Sequence, residues 1–479
     1  MKNHGEILSG AVPALDPAGR PAVEVTASLG RWVAQLDLSR IPAEVIALIK
    51  GCILDSLGCG IYGASQPWGR IAADAVIGFS GGGRASLFGR AEKVSVPDAA
   101  LANGTAIHGF ELDDLHLAGM CHPGAVTLPA ALAAAETEAV TGKNFLVAVV
   151  AGYEAGIRVG VCAGTSHATS GYHATGTVGT ICSAAAVARV LGLDAIRATH
   201  ALGISATQAA GLYSARMGAM SKRFHAGRAA QSGVLAAYFA ARGFTGSEVA
   251  IEAPFGGFMS TLHGQSDPAT ILTGLGEDWE TLRVGLKIHA SCGSSHTTVD
   301  ALHEMMARGL TADNLEHLTI RMCKKAMLNV GWNYKPASIV SAQMNGYYVA
   351  AVKLLEGAAF IDQFREDLLA DPRILRIIER IEYLHDPELD LGGAAKRHAV
   401  KVEAKLKDGR KLETVIEQRR GSAERPVPTA EIEQKFRLLA SNHLEPAAID
   451  RIISIVANVE HESELGPLCA SLRACRQAH

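Results

Sequence analysis

The chain has 479 residues, 48% hydrophobic and 19% charged, with Lys plus Arg 45 against Asp plus Glu 48 and a formal net charge of -3. That composition supplies a sizeable core and excludes a disordered chain, and the near balance of charge gives no general attraction to nucleic acid or to an anionic membrane. Nine scattered Cys with no C-x-x-C pair argue against a disulfide framework or a structural zinc site, and fit a reducing cytoplasm.

Residues 1–22 are interrupted by Gly and Pro and lack an apolar stretch with a basic flank, so a flexible N-terminus is expected rather than a signal peptide. Helical periodicity runs over 23–36. Pro42 opens a second helix over 43–62, where Ile46, Ile49, Ile53 and Leu57 recur at 3–4 spacing on one face. A third helix is predicted over 67–79, ended by Gly81-Gly82-Gly83. Ser95 and Pro97 start a fourth, and an Ala-rich helix follows over 126–138. The most membrane-like run, 145–164, contains Glu154 and Arg158, four residues apart as an i,i+4 helix pair would be. It therefore reads as a buried helix and not a membrane span. Helices over 178–191, 194–209 and 222–242 complete a part almost free of period-2 alternation.

After about residue 275 the pattern changes. Strands are predicted at 318–320, 378–384, 400–406 and 412–416, with a helix at 340–355. The last two strands flank Lys407-Asp408-Gly409-Arg410, a hairpin signal. Helices return at 431–439, 446–457 and 465–473. The expected fold is mainly α with an α+β part: residues 23–275 and 420–479 form a large all-helical domain, and 276–419 a smaller α+β domain.

Four stretches carry candidate chemistry. The densest is His108-Gly-Phe-Glu111-Leu-Asp113-Asp114-Leu-His116, continuing to His122-Pro123-Gly124, with three imidazoles and three carboxylates within 15 residues. Charges in such apolar surroundings are costly unless paired, and perturbed acid–base groups are a mark of active sites. The plainer alternative is a polar helix end with capping Asp and His. The second is Tyr172-His173-Ala-Thr175-Gly176, before a helix, where an anion could bind or a turn histidine simply be satisfied by backbone. The third is Ser221-Lys222-Arg223-Phe-His225-Ala-Gly227-Arg228. On a helix, Lys222 and His225 share a face that could clamp a carboxylate, and Gly227 allows close packing. A solvated basic helix start is the alternative. The fourth, Lys287-Ile-His289-Ala-Ser-Cys292-Gly293-Ser-Ser-His296, lies where the α part gives way to the mixed part. A linker with a capped helix would look the same. Nucleotide-binding loops, a G-x-S-x-G elbow and H-E-x-x-H are absent. Asp113, Asp114, His116 and His122 could hold a metal through mixed ligands, but their irregular spacing favours a metal-free acid–base site.

These stretches, in this order, resemble the MmgE/PrpD family: 2-methylcitrate dehydratase, cis-aconitate decarboxylase and iminodisuccinate epimerase. The first is similar to the family's acidic D-F-D-D-T-H pattern followed by H-P, and the third to its Lys-x-x-His-x-Gly block. Leu54-Asp55-Ser56-Leu57-Gly58-Cys59 resembles its early helix, and the segment from Gly421 to Phe436 its late one. The resemblance implies that the α+β domain is an inserted lid, and that the protein is a homodimer working without metal or organic cofactor. The implied activity is that of a lyase acting on a small di- or tricarboxylic acid by acid–base catalysis beside a carboxylate, through 2-methylcitrate-type dehydration or cis-aconitate-type decarboxylation. An epimerase of the same fold is the alternative, and a metal-dependent hydrolase or a non-enzymatic interaction protein stand further off.

Carried over residue by residue, the implied catalytic set is His122, His173, Asp114, Lys222 and Glu111, with Lys287, His116, Cys292 and His225 binding substrate. Asp114 is expected to orient one of the imidazoles. Glu111 replaces the family's usual Asp, and Leu115 a common Thr. Lys287-Ile-His289-Ala replaces a commoner Lys-Pro-Tyr-Pro, and the family's lid Tyr has no clear match, Tyr334 being near.

Overall fold

Ala, Gly and Val dominate the helices that form the body, and the small side chains let their backbones approach closely. In the computed structural model the chain is described over residues 23–473, except 218, 263–266 and 394–395. The expected flexible segment 1–22 lies outside the described residues. Helices Val96–Ile107, Pro123–Thr137, Gly142–Thr169, Gly179–Val190 and Ser221–Ala241 pack on one another, with Val25–Gln35 and Ala195–Ala206 against them. Gly227 shows why residue size matters: a Cβ there would lie 2.1 Å from the Leu101 carbonyl oxygen. That close crossing sets the Ser221–Ala241 helix against Val96–Ile107, the helix that leads into the acidic stretch.

The apolar 145–164 run lies in helix Gly142–Thr169, and 89% of its most apolar window is buried within the protein. The helix kinks at Gly164, whose φ of 62° places it outside helical geometry. The i,i+4 pair is present, with Arg158 Nε donating to Glu154 Oε1 at 2.6 Å. Arg158 also reaches the carbonyls of Ile271 and Thr273, tying the loop after the helical part to the body.

The strands form a four-stranded sheet in the order Ile381–His385, Leu315–Met322, Val400–Leu406, Lys411–Ile416. The first two are parallel and the other neighbours antiparallel. The expected hairpin is there, with Gly409 at φ 87° in its turn. Two expectations differ in detail. The 340–355 helix is broken into Ile339–Gln343 and Gly346–Glu356, because Asn345 starts a new helix by accepting from Tyr348 N. Ile378 ends helix Pro372–Ile378 rather than starting a strand. The fold is mainly α with an α+β part.

The closing helix Thr429–Ala440 returns to the body, with Phe436 against Gly58 of helix Ala43–Ala64. From it Lys435 reaches into the core. Its ammonium donates to Asp55 Oδ1 at 2.6 Å, to the Leu112 carbonyl at 2.6 Å and to the Lys287 carbonyl at 2.7 Å. Burial works against that charge, but Asp55 beside it holds the ammonium above its ordinary value. One side chain thus uses all three donors to join an early helix, the acidic stretch and the segment carrying Lys287.

Removing one partner of such a buried pair strands the other charge. Lys435→Met is expected to lower the unfolding free energy in denaturant titrations by about 3–5 kcal/mol, and an added Asp55→Asn to restore part of it. A loss under about 1 kcal/mol for Lys435→Met would show that the pair does not carry this load.

Candidate active site

Helix Val96–Ile107 is capped by the Ser95 hydroxyl, which accepts from Asp98 N, and runs into a 3₁₀ turn at His108–Phe110. Glu111 then takes φ 57°, a left-handed conformation that a side chain such as Glu rarely adopts. Such strain persists where surroundings enforce it. Here the enforcement is ionic. The Lys222 ammonium donates to Glu111 Oε1, the Lys287 ammonium lies 3.2 Å from Oε2, and the Arg223 guanidinium lies 3.6 Å away. Burial alone would raise the Glu111 carboxyl, but these three cations hold it well below its ordinary range. Burial likewise lowers Lys222, against the opposing pull of Glu111.

Beyond Glu111 the two neighbouring aspartates face different partners. Asp113 faces the imidazoles: its Oδ2 lies 2.6 Å from His108 Nδ1 and 3.2 Å from His122 Nδ1. Asp114 faces away, accepting from Gly124 N at 3.0 Å and the Tyr153 hydroxyl at 2.7 Å. It caps helix Pro123–Thr137, and burial pushes its carboxyl up to about 8. The expectation that Asp114 orients a catalytic imidazole is therefore corrected: Asp113 stands in that place.

His122 and His173 each sit immediately before a helix, and the two starts are joined where His122 N donates to Thr175 Oγ1 at 3.2 Å. The imidazoles form a row. Ring centroids are 4.7 Å apart for His108 and His122, 5.6 Å for His108 and His173, and 5.3 Å for His173 and His225. His173 Nδ1 is 3.1 Å from His225 Nδ1, so one ring must donate and the other accept. Burial lowers His108 to about 4 and His173 well below its ordinary value, so both rest neutral.

These groups border a cleft of about 930 Å³, open to solvent on one side. Glu111, His122, His173, Lys222, His225, Lys287 and Cys292 all line it, which brings together seven of the nine residues expected from sequence. Its other wall is apolar, with Leu115, Leu117, Met120 and Leu212. Gln343, buried nearby, joins the segments carrying Glu111 and Lys287 by donating to the Phe110 and Ala290 carbonyls, at 2.9 and 3.0 Å.

His116 is not in the cleft. It lies on a two-residue strand paired with Val284–Gly285, its Nδ1 accepting from Gly119 N and its Nε2 3.3 Å from Glu280. Its substrate-binding role is withdrawn, because alternation turns it to the outer side. Tyr334 donates to the Leu369 carbonyl and does not line the cleft. Sequence reasoning did not assign His108, Asp113, Arg223, Arg397 or His398. The first three stood in the stretches singled out, whereas Arg397 and His398 follow no local signal and reach the cleft only through the fold. His108, Asp113 and His122 each offer one ligand atom within 4.8 Å of the others, a set that could hold a metal. Asp113 there already serves both rings.

The MmgE/PrpD N-terminal domain matches residues 27–270 and the MmgE/PrpD C-terminal domain residues 289–461. A cis-aconitate decarboxylase-like protein, oryM, of Aspergillus oryzae is 32% identical, the match covering 94% of this chain and 97% of that one. A cis-aconitate decarboxylase of Aspergillus terreus is 29% identical over 93% and 95%, and one of Homo sapiens 27% identical over 94% of each.

The buried neutral imidazoles make stability depend on pH. His108 binds a proton at about 6.5 when unfolded and at about 4 when folded, so its contribution is complete above pH 6.5 and is lost as pH falls toward 4. The gap corresponds to about 3 kcal/mol. Urea titrations at pH 7 and 4.5 are expected to show this loss, with a clearly smaller one in His108→Gln. Equal losses in both proteins would mean that His108 is not held neutral.

Proposed function

The chain belongs to the MmgE/PrpD family and is a lyase, and on that premise we propose that it decarboxylates a small unsaturated tricarboxylic acid of the cis-aconitate class. The observation that carries this reading is the cleft itself. Four cationic side chains, Lys222, Lys287, Lys325 and Arg397, and, among the described residues, a single carboxylate, Glu111, line it, beside four imidazoles and several apolar side chains. Such a site attracts a polyanion and offers proton transfer next to it. Leu115 stands where the family commonly has Thr, which leaves an apolar surface where a dehydratase would gain from a hydroxyl partner for its leaving group.

The mechanism follows from where charge must go. The C–C bond to a carboxylate one carbon removed from the double bond breaks, and carbon dioxide leaves. The bonding pair forms a new C=C, and the former π pair moves toward the retained, conjugated carboxylate. Negative charge grows there, and Lys222 and Lys287 provide fixed cations for it in a largely desolvated site. The intermediate then takes a proton at the carbon that was at the far end of the original double bond. His122 is the donor in this proposal, because the Asp113 carboxylate beside its Nδ1 stabilises an imidazolium. His173, neutral and backed by His225, is the partner that orients the substrate and restores the proton. The neutral product acid–base state is regained by uptake of one proton from solvent. In the same proposal residues 276–419 close over the cleft as a lid, and the protein works as a cytoplasmic homodimer without a cofactor.

Purified protein is expected to release carbon dioxide from cis-aconitate, and His122→Ala or His173→Ala to lower kcat/KM by about 10²–10⁴-fold. Turnover within about tenfold of wild type would remove the acid–base assignment, and water loss from citrate-type acids without carbon dioxide would make the enzyme a dehydratase. The second reading, a metal-dependent hydrolase, rests on the His108, Asp113 and His122 cluster. Activity is expected to survive EDTA, whereas stoichiometric metal and chelator-sensitive activity would favour that reading.

A further inference from the structure

The cations around the cleft differ in whether the protein already answers them. Lys222 and Lys287 share Glu111, and Arg223 faces the same carboxylate. Arg419, behind, donates to the Leu286 carbonyl at 2.9 Å. Arg397 has no such partner. It is 8% exposed and lines the cleft, yet its guanidinium makes no hydrogen bond or ion pair among the described residues. The ionisable groups beside it are the Cys323 thiol and the Tyr213 hydroxyl rather than a carboxylate, and the adjoining His398 has Arg397, Arg419 and Lys287 as its charged neighbours. Nor is the turn loose. Cys323 Sγ donates to the Arg397 carbonyl at 3.2 Å and Thr297 Oγ1 to the His398 carbonyl at 2.6 Å.

A guanidinium remains charged at any working pH and presents five donors in a planar fork. Burying one without an anion is costly, and breaking up a packed turn to expose it is blocked here by the bonds to its backbone. The cost is recovered if an anion enters the cleft, and the fork matches a carboxylate in two-point geometry. Because Lys222 and Lys287 are gathered together on Glu111 and Arg397 is not, the group met by Arg397 is a different carboxylate of the same molecule.

We propose that Arg397 clamps a substrate carboxylate distinct from the one held by Lys222 and Lys287, and so sets a preference for tricarboxylates over dicarboxylates. This rests on the decarboxylase reading of the same cleft. It makes Arg397 a specificity-determining residue delivered by the α+β part, whereas His122, His173 and His225 come from the helical body.

The test uses three unreactive probes: tricarballylate, glutarate, which lacks the central carboxylate, and methylsuccinate, which lacks a terminal one. Binding is measured by calorimetry to full-length wild type, Arg397→Met and Arg397→Lys. Arg397→Met is expected to weaken tricarballylate about 30–100-fold, the worth of charge-assisted hydrogen bonds. The loss should shrink below about threefold for whichever truncated probe lacks the clamped group. Arg397→Lys, which keeps charge but not the fork, should fall between, and it keeps the test valid if Arg397→Met folds poorly. If both variants bind tricarballylate within about threefold of wild type while wild type still decarboxylates cis-aconitate, the clamp is overturned and the proposed function stands. Equal losses for all three probes would also overturn it, leaving only a diffuse field. If wild type neither binds tricarballylate nor turns over cis-aconitate, the functional reading falls and the clamp with it.

Discussion

Glu111 is a carboxylate buried in a left-handed turn, and it stays ionised only because Lys222, Lys287 and Arg223 surround it. Each of those cations would in turn be costly to bury without it. The constraint is mutual and crosses the chain: the turn, the Ser221–Ala241 helix and the segment at Lys287 must meet at one point for any of them to be tolerable. Much of the rest of the structure serves that meeting. Gly227 permits the helix crossing, Lys435 ties the Leu112 and Lys287 carbonyls together from below, and Gln343 stitches the Phe110 and Ala290 carbonyls from the side.

The same arrangement explains how the site can be reactive without being unstable. Cations held by Glu111 are already in place, so in the proposed decarboxylation little reorganisation is needed when charge develops on a retained carboxylate. His108 and His173 are kept neutral by burial, and Asp113 lies beside both His108 and His122. Charged, strained and titratable groups lie in one cleft, while more than half of the residues in the packed helices behind them are Ala, Val or Gly. The rigid small-residue body and the polar rim are two halves of one design constraint: backbones that pack this closely leave few places where large polar side chains can go.

The amino-acid sequence by itself determined the helical body, the hairpin at Asp408-Gly409, the Glu154–Arg158 pair and the four stretches from which the cleft is built, since each is written in local periodicity, capping or turn chemistry. It also placed His122, His173, Lys222, His225 and Lys287 as candidates, because unusual residue types in apolar surroundings are visible without coordinates. It could not choose between Asp113 and Asp114, nor see that His116 turns outward. Neighbouring side chains can face opposite ways, as Leu115 and His116 do on their short strand, and nothing local says which side the cleft is on. Only the tertiary structure decided that Asp113 meets the imidazoles while Asp114 caps a helix, that Glu111 is the common counter-ion of three cations, and that Arg397 arrives without one. The Glu111 contacts join residues more than a hundred positions apart, and even the short-range choice between Asp113 and Asp114 is set by which groups the packing of the whole chain brings to each side.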